Sequence, residues 1–463
     1  MSKPYTRLLA DFIAGLDFSA FPEEVLAQAK LLVLDSIGNQ LSGSREPAAR
    51  IVTDWIAALD ARQDCTIVGT GLRAPMTFAG FANGVMGHSV EMDDAHRDGL
   101  VKCGTVITPA SITCSEAEGC DGKRFLTAMI GGYELMIRLG LAVNPGHRNR
   151  SHHSTATVGS FASASVAAKI LGLNADTLTD AFGVAGTQAQ GLSAFLDDPH
   201  SMTKPFNAGK GVMTGLFSVE LAAKGLKGPN NILEGEEGFF HAECEEVDFD
   251  VIDSGLGTTW RIMEEGFKPH AACRYSHTAI DVSHQLAINH DLPGDAVERV
   301  VVRMSPLAVR QTKHKNPPHV ISAEGSTSYV VALALLSKKP HLVHEDFVVA
   351  WEDPSVLEFA QRVDLEADER RFDYMGRGTE VEVFLKDGSS VVAEAALPKG
   401  EPENPMSEDE IRAKFESLAG PIVGSADTAE ISAMVTDLDA LEDCRELAAL
   451  LGVDQTKAQN AAE

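Results

Sequence analysis

The chain has 463 residues, long enough for two or three domains, because single cores stop growing near ~250–300 residues. A hydrophobic share of 44% and a charged share of 23% are those of a folded globular protein and exclude a disordered or low-complexity one. With 67 acids against 39 bases the formal charge is −28, which repels nucleic acid and anionic membrane surfaces, so neither is expected as a partner.

The start, "MSKPYTRLLADFIAGLDF", lacks the charged, apolar and small-residue layout of a secretory signal. No run approaches the ~18–20 apolar residues of a membrane span, so a cytoplasmic location is expected. "PEEVLAQAKLLVLDSIGNQL" (22–41) and "REPAARIVTDWIAALDA" (45–61) carry apolar residues at helical spacing. Three further helices are expected in "TATVGSFASASVAAKILGL" (155–173), "DAFGVAGTQAQGLSAF" (180–195) and "KPFNAGKGVMTGLFSVELAAKGLKG" (204–228), the last ending at Gly225. Their Ala, Ser and Gly content predicts close packing. After about residue 268 the texture changes. "VERVVVRMSPLAV" (297–309) is β-branched, "STSYVVALALLSKKP" (326–340) is helical, and "TEVEVFLKDGSSVVAEAAL" (379–397) alternates around Asp387-Gly388 as a hairpin does. "SEDEIRAKFESLAG" opens on a capping box, Ser407 with Glu410. The expected class is mainly α: a large all-helical domain (1–268), a smaller α+β lid (269–400) and a return to the helical domain (401–463).

Seven cysteines, odd in number and never spaced C-x-x-C, suggest reduced packing residues and neither a disulfide framework nor a zinc site. No metal is expected, and no dinucleotide, Walker, zincin or nucleophile-elbow pattern stands in a suitable context.

Four stretches carry the chemistry. "GHSVEMDDAHRDGLVKCGTV" (87–106) sets Glu91, Asp93, Asp94, His96 and Lys102 between apolar segments, where unpaired charge is costly. "NPGHRNRSHHSTATVG" (144–159) places His152 and His153 before a helix, whose N-terminus favours a neutral imidazole able to accept a proton. "DDPHSMTKPFNAGKG" (197–211) puts Lys204 at a helix start, with Lys210 further in, positioned to meet a carboxylate. "EEGFKPHAACRYSHTAID" (264–281) gathers Lys268, His270, Arg274, Tyr275 and His277 at the domain junction, where ligands settle.

In this order the four stretches resemble the MmgE/PrpD family. "GHSVEMDD" is similar to its His-x-x-Asp-Phe-Asp-Asp segment, "HHSTATVG" to its His-Pro-Thr segment, "AGTQAQGLSAFLDDPHSMTKPFNAGKG" to its Lys-x-x-His-x-Gly block and "FKPHAACRYSHTAID" to its Lys-Pro-x-x-x-Cys-Arg-Tyr-x-His block. The resemblance covers nearly the whole chain and implies a homodimer with its site in the cleft between helical domain and lid, and no cofactor. It also implies catalytic or binding roles for Asp93 or Asp94, His153, Lys204, His277 and Tyr329. Its activities include 2-methylcitrate dehydratase, cis-aconitate decarboxylase and iminodisuccinate epimerase.

Four departures qualify this. Glu91 stands where the family has Asp, and Ala95 stands where the decarboxylase has a threonine. Lys102-Cys103-Gly104 replaces a His-Pro-Ser, so Lys102 holds a catalytic position, and Asn207 replaces the His after the conserved lysine. The expectation is a cofactor-independent lyase, foremost a dehydratase, that removes a proton α to a carboxylate of a small di- or tricarboxylate. His153 is the expected base, Asp93 orients a partner, and His277 or Tyr329 protonates the leaving hydroxyl. Lys102, Lys204 and Arg274 clamp carboxylates, with Asp94, His96, Lys268 and Tyr275 as further substrate contacts. Two alternatives stand beside it: an epimerase using Lys102 and His153 as opposed bases, and a non-catalytic dimeric carboxylate-binding protein.

Overall fold

Glu23 and Glu24 place negative charge in the first turn of a helix over Glu23–Gly43 (α1), where the exposed backbone N–H groups favour it. The computed structural model, which describes residues 3–198 and 200–453, continues with helices Met76–Gly87 (α2), Gly104–Glu118 (α3) and Gly122–Val143 (α4). Asp121 caps α4 by accepting the Arg124 N–H. α4 is long and apolar enough to cross a membrane by length and composition, which corrects the expectation that no run approaches that limit. Of its most apolar window 94% is buried inside the molecule, and Glu134 pairs with Arg138 one turn on at 3.1 Å.

Small residues then do what their sequence predicts. Helices Ser154–Ile170 (α5) and Thr203–Ala223 (α6) lie side by side, with α6 also against α2. At Gly209 a Cβ would stand 2.5 Å from the Phe81 carbonyl, so only glycine allows this approach, and an added methyl would cost about 1–3 kcal/mol of overpacking. α6 ends as expected, with Gly225 at φ +97° just beyond it. The helix expected at 180–195 instead runs Ala175–Gly186, started by the Asn174 side chain. Beyond Gly186 the carbonyls of Gln188 and Gln190 turn to accept from the Lys210 ammonium, which a continuing helix would forbid.

The α+β region opens with helix His277–Asn289 (α7), followed by strand Val297–Met304 (β1), helix Thr327–Ser337 (α8) and strands Val363–Ala367 (β2), Thr379–Leu385 (β3) and Ser390–Ala395 (β4). The sheet order is β2-β1-β3-β4. β1 runs parallel to β2, with Val300 opposite Val363, and antiparallel to β3, with Val302 opposite Val381; β3 and β4 form the expected hairpin. Gly388, at φ +88°, turns that hairpin, and the Asp387 carboxylate accepts the Ser389 N–H. The alternating valines of β3, Val381 and Val383, are fully buried, with α7 packed on the same strand. Helix Glu408–Val423 (α9) starts with the capping box between Ser407 and Glu410.

The molecule is mainly α, with a smaller α+β part. One apolar core draws on residues from Tyr5 to Phe267 and again from Met406 to Leu451, and a second on Ala271 to Val383. Met92 and Leu418 pack into the second core from elements of the first. The seven cysteines are all free thiols.

Candidate functional site

Between the two cores lies a cavity of about 550 Å³. One wall is the loop after α2, whose buried charges are held by a set of specific bonds. Its backbone pairs with a distant segment through Ala95 N–H to Gly266 O, 2.9 Å, and Gly266 N–H to Ala95 O, 3.1 Å. Asp94 reaches the start of α3, accepting the Gly104 N–H at 2.9 Å, and takes the Tyr133 hydroxyl at 2.8 Å. From the returning chain, the Lys414 ammonium on α9 donates to the Met92 carbonyl and to Asp35, both at 2.5 Å. Buried charge is tolerated here because each group has a partner.

So held, the loop aims two carboxylates at three amines. Glu91 lies between Lys204, which it contacts directly, and Lys268 at 3.1 Å. Asp93 stands 3.2 Å from His88 Nδ1, 3.6 Å from Lys268 and 4.0 Å from Lys102. Burial would raise the Asp93 pKa, but the charges of Lys268, then His88 and Lys102, hold it well below the usual carboxylate range. Burial pushes Lys102 down to about 7, and the charge of Lys268 adds to this against Asp93. Burial and Lys268 also push Lys204 down toward about 7, but Glu91 lies against its ammonium and opposes that shift. Lys204 is thus held in an ion pair with Glu91, while Lys102 stands 4.0 Å from Asp93.

His153 is the residue that caps α5. It stacks on His88 with ring centroids 5.7 Å apart and meets the edge of Phe195 at 5.2 Å. Burial holds its pKa well below 6.5, with His88 and Arg148 adding to the effect, so its ring is neutral at pH 7. The Asn207 side-chain amide nitrogen donates to the Leu192 carbonyl at 3.0 Å and faces His153 Nδ1 at 3.2 Å. With the amide oriented by Leu192, Nδ1 of His153 accepts and the ring proton resides on Nε2. In this tautomer the ring offers a donor at Nε2.

Lys102, His153, Lys204, Lys268, Arg274, Tyr275 and His96 all line the cavity, with Asp93 fully buried against the lysines. His96 is tied at both ring nitrogens, accepting the Gly99 N–H at 2.9 Å and facing Glu264 at 3.2 Å. Arg274 is engaged too: it holds Glu401, the Lys399 carbonyl and His277 Nδ1. Besides Asp93, three expected residues stand off the cavity. Asp94 is spent on Gly104 and Tyr133, and burial raises its pKa to about 7. His277 lies behind Arg274, with Nε2 on the Ala272 carbonyl at 3.0 Å. Tyr329 is fully buried in the second core and gives its hydroxyl to the Ala350 carbonyl at 2.5 Å, so it is not placed to protonate a ligand.

Two arginines of the lining, Arg148 and Arg377, were not singled out from the sequence. Arg148 sits in the quoted histidine stretch, and Arg377 between Gly376 and Gly378, where no pattern marks it. Among the described residues no group of three His, Cys, Asp or Glu side chains is placed to hold a metal ion.

Comparison with known proteins agrees in extent with this architecture. A family model described as the MmgE/PrpD N-terminal domain matches residues 7–252, and one described as the MmgE/PrpD C-terminal domain matches residues 270–440. The chain is similar to the cis-aconitate decarboxylase of Aspergillus terreus strain NIH 2624, at 27% identity over 96% of this chain and 95% of that protein. It is also similar to the cis-aconitate decarboxylases of Homo sapiens and Mus musculus, each at 27% identity over 97% of this chain and covering 95% and 94% of those proteins.

Proposed function

The chain belongs to the MmgE/PrpD family, and from that premise we propose that it is a lyase that removes a proton α to a carboxylate of a small di- or tricarboxylic acid. The observation that carries this reading is the gathering, in one cavity, of Lys102, whose pKa burial lowers to about 7, and His153, a neutral imidazole whose Nδ1 faces the Asn207 amide. Lys102, as free amine, takes the proton. Lys204 and Lys268, sharing Glu91, present ammonium N–H donors to the carboxylate on which the enediolate-like anion develops. His153 delivers a proton from Nε2 to the departing hydroxyl of a dehydration. Loss of a hydroxyl is preferred over loss of carbon dioxide because Ala95 offers no side-chain hydroxyl where the family's decarboxylase has a threonine.

An epimerase is the second reading, favoured by the same pairing, since inversion at one carbon needs a base on one face and a donor on the other. Small di- and tricarboxylates incubated with the protein in deuterated water separate the outcomes. A dehydratase gives an unsaturated product absorbing near the short-wavelength ultraviolet edge, an epimerase gives deuterium at the α-carbon with no other change of mass, and a decarboxylase releases carbon dioxide. Thermal stabilisation by these acids with no exchange or turnover would leave a binding protein only and reject the lyase.

The homodimer is part of the same proposal. Ile51 and Trp55 on the helix Pro47–Ala57, and Phe206 and Phe217 on α6, are large apolar side chains left 42–61% exposed, as a subunit surface would leave them. Sedimentation at micromolar concentration is expected to give twice the chain mass; a monomer there refutes it.

A further inference from the structure

Most cations of the cavity are already answered by a carboxylate of the chain: Lys204 and Lys268 by Glu91, Lys102 and Lys268 by Asp93, and Arg274 by Glu401. Arg377 and Arg148 are not. Among the described residues neither guanidinium has an ion-pair partner.

Arg377 is only 7% exposed, and its Nε and Nη1 have no hydrogen-bond partner. Its position is nonetheless well defined. The Thr278 hydroxyl donates to its carbonyl at 2.6 Å, and its guanidinium lies over the Tyr275 ring, 3.8 Å from the centroid. The Tyr275 hydroxyl is buried and also lacks a partner. All three residues line the cavity, Arg148 from the side of the first core and Tyr275 and Arg377 from the side of the second. A buried guanidinium with unmade N–H bonds, next to an unmade phenol O–H, is costly unless something accepts from it. What suits a planar fork of N–H donors is a carboxylate.

We propose that Arg377, Tyr275 and Arg148 form a second carboxylate subsite, distinct from the lysines around Glu91 and Asp93, so that the ligand must carry carboxylates at two separated ends. This rests on the cavity being the carboxylate site argued above and adds to it which residues read the far carboxylate. It also accounts for the engaged state of Arg274: that side chain supports the wall, and Arg377 meets the ligand.

The test is binding, read apart from turnover. Wild-type protein, Arg377→Met and Tyr275→Phe are titrated calorimetrically with succinate, citrate, propionate and inorganic phosphate. Succinate or citrate is expected to bind wild type and to lose about 10- to 100-fold in affinity in Arg377→Met, the scale of a charge-assisted bidentate contact. Tyr275→Phe, which keeps the ring under Arg377, guards against a variant that fails to fold and is expected to lose about 3- to 10-fold from one hydrogen bond. Propionate, with one carboxylate, is expected to be insensitive to both changes. Dicarboxylate affinity within twofold of wild type in both variants overturns the subsite, as does phosphate binding as tightly as succinate with the same dependence on Arg377. Failure of the lyase reading looks different: Arg377-dependent dicarboxylate binding with no turnover keeps the subsite and removes the reaction.

Discussion

Replacing Lys102 with methionine is expected to lower kcat about 10³-fold, within the ~10²–10⁴ range of a general base. The substitution keeps an unbranched apolar stem and removes the amine. In the wild type kcat/KM is expected to rise with pH through about 7, because the reactive form is the unprotonated amine and burial with Lys268 has brought its pKa to about 7. The variant should lose that limb, and Lys102→Arg, which stays charged, should be as slow as the methionine variant. Stability changes in a related way. A lysine in the unfolded chain keeps its proton to about 10.4, whereas folded Lys102 releases it near 7. Folding is therefore opposed by Lys102 at pH 6, and that cost disappears as pH rises toward 10. Lys102→Met should be more stable than wild type at pH 6, with the gap closing by about pH 10. Near-normal turnover, or a pH limb that persists in the variant, would remove Lys102 from the chemistry and return His153 to the role of base. Asn207→Asp checks the same division of roles, because a carboxylate accepts where the amide donates and would move the His153 proton to Nδ1.

Replacing Lys268 with methionine is expected to destabilise the protein by about 3–5 kcal/mol at pH 7, the range for removing one partner of a buried ionic group. The Lys268 ammonium is fully buried, donates to the Glu91 carbonyl and carboxylate, both at 3.1 Å, and lies 3.6 Å from Asp93. Without it Glu91 faces Lys204, and Asp93 loses the charge that most strongly depresses its pKa. In the wild type the stability from Asp93 is present above the unfolded pKa of about 3.9 and is lost as pH falls through its lower folded value. In Lys268→Met the folded Asp93 pKa rises, so the deficit against wild type should hold from pH 7 to about 4 and shrink as pH falls below about 3.9. Denaturant unfolding across that range measures it, and equal stability of the two proteins at pH 7 would contradict the proposed network. The two predictions are linked. Lys268 is the charge that most lowers Lys102, so in Lys268→Met any remaining activity should show its rising limb above pH 7.

The features legible in the sequence are those set by neighbours in the chain. The Ser407 capping box and the Asp387-Gly388 turn form as read, because a side-chain oxygen and a left-handed glycine act within three residues. The small-residue helices were legible for the same reason, since their composition states how closely they can pack. Of the site, the lysines and His153 were found because each stands beside a helix start or a dense charged run. The setting of Tyr329 was not legible, because its place in a helix says nothing of which core that helix faces, and its hydroxyl turns to Ala350. Arg377 carried no local mark at all.

The sequence by itself determined the helices, the hairpin, the caps and the collection of ionisable groups, because backbone preference and periodicity act over a few residues. Only the tertiary structure decided which charges answer one another. Glu91 meets Lys204 and Lys268, Glu401 takes Arg274, Asn207 orients His153, and Arg377 is left unanswered. The reason is physical: a proton's affinity depends on burial and on charges within a few ångströms, and many of those neighbours come from segments distant in the chain, 177 residues apart for Glu91 and Lys268.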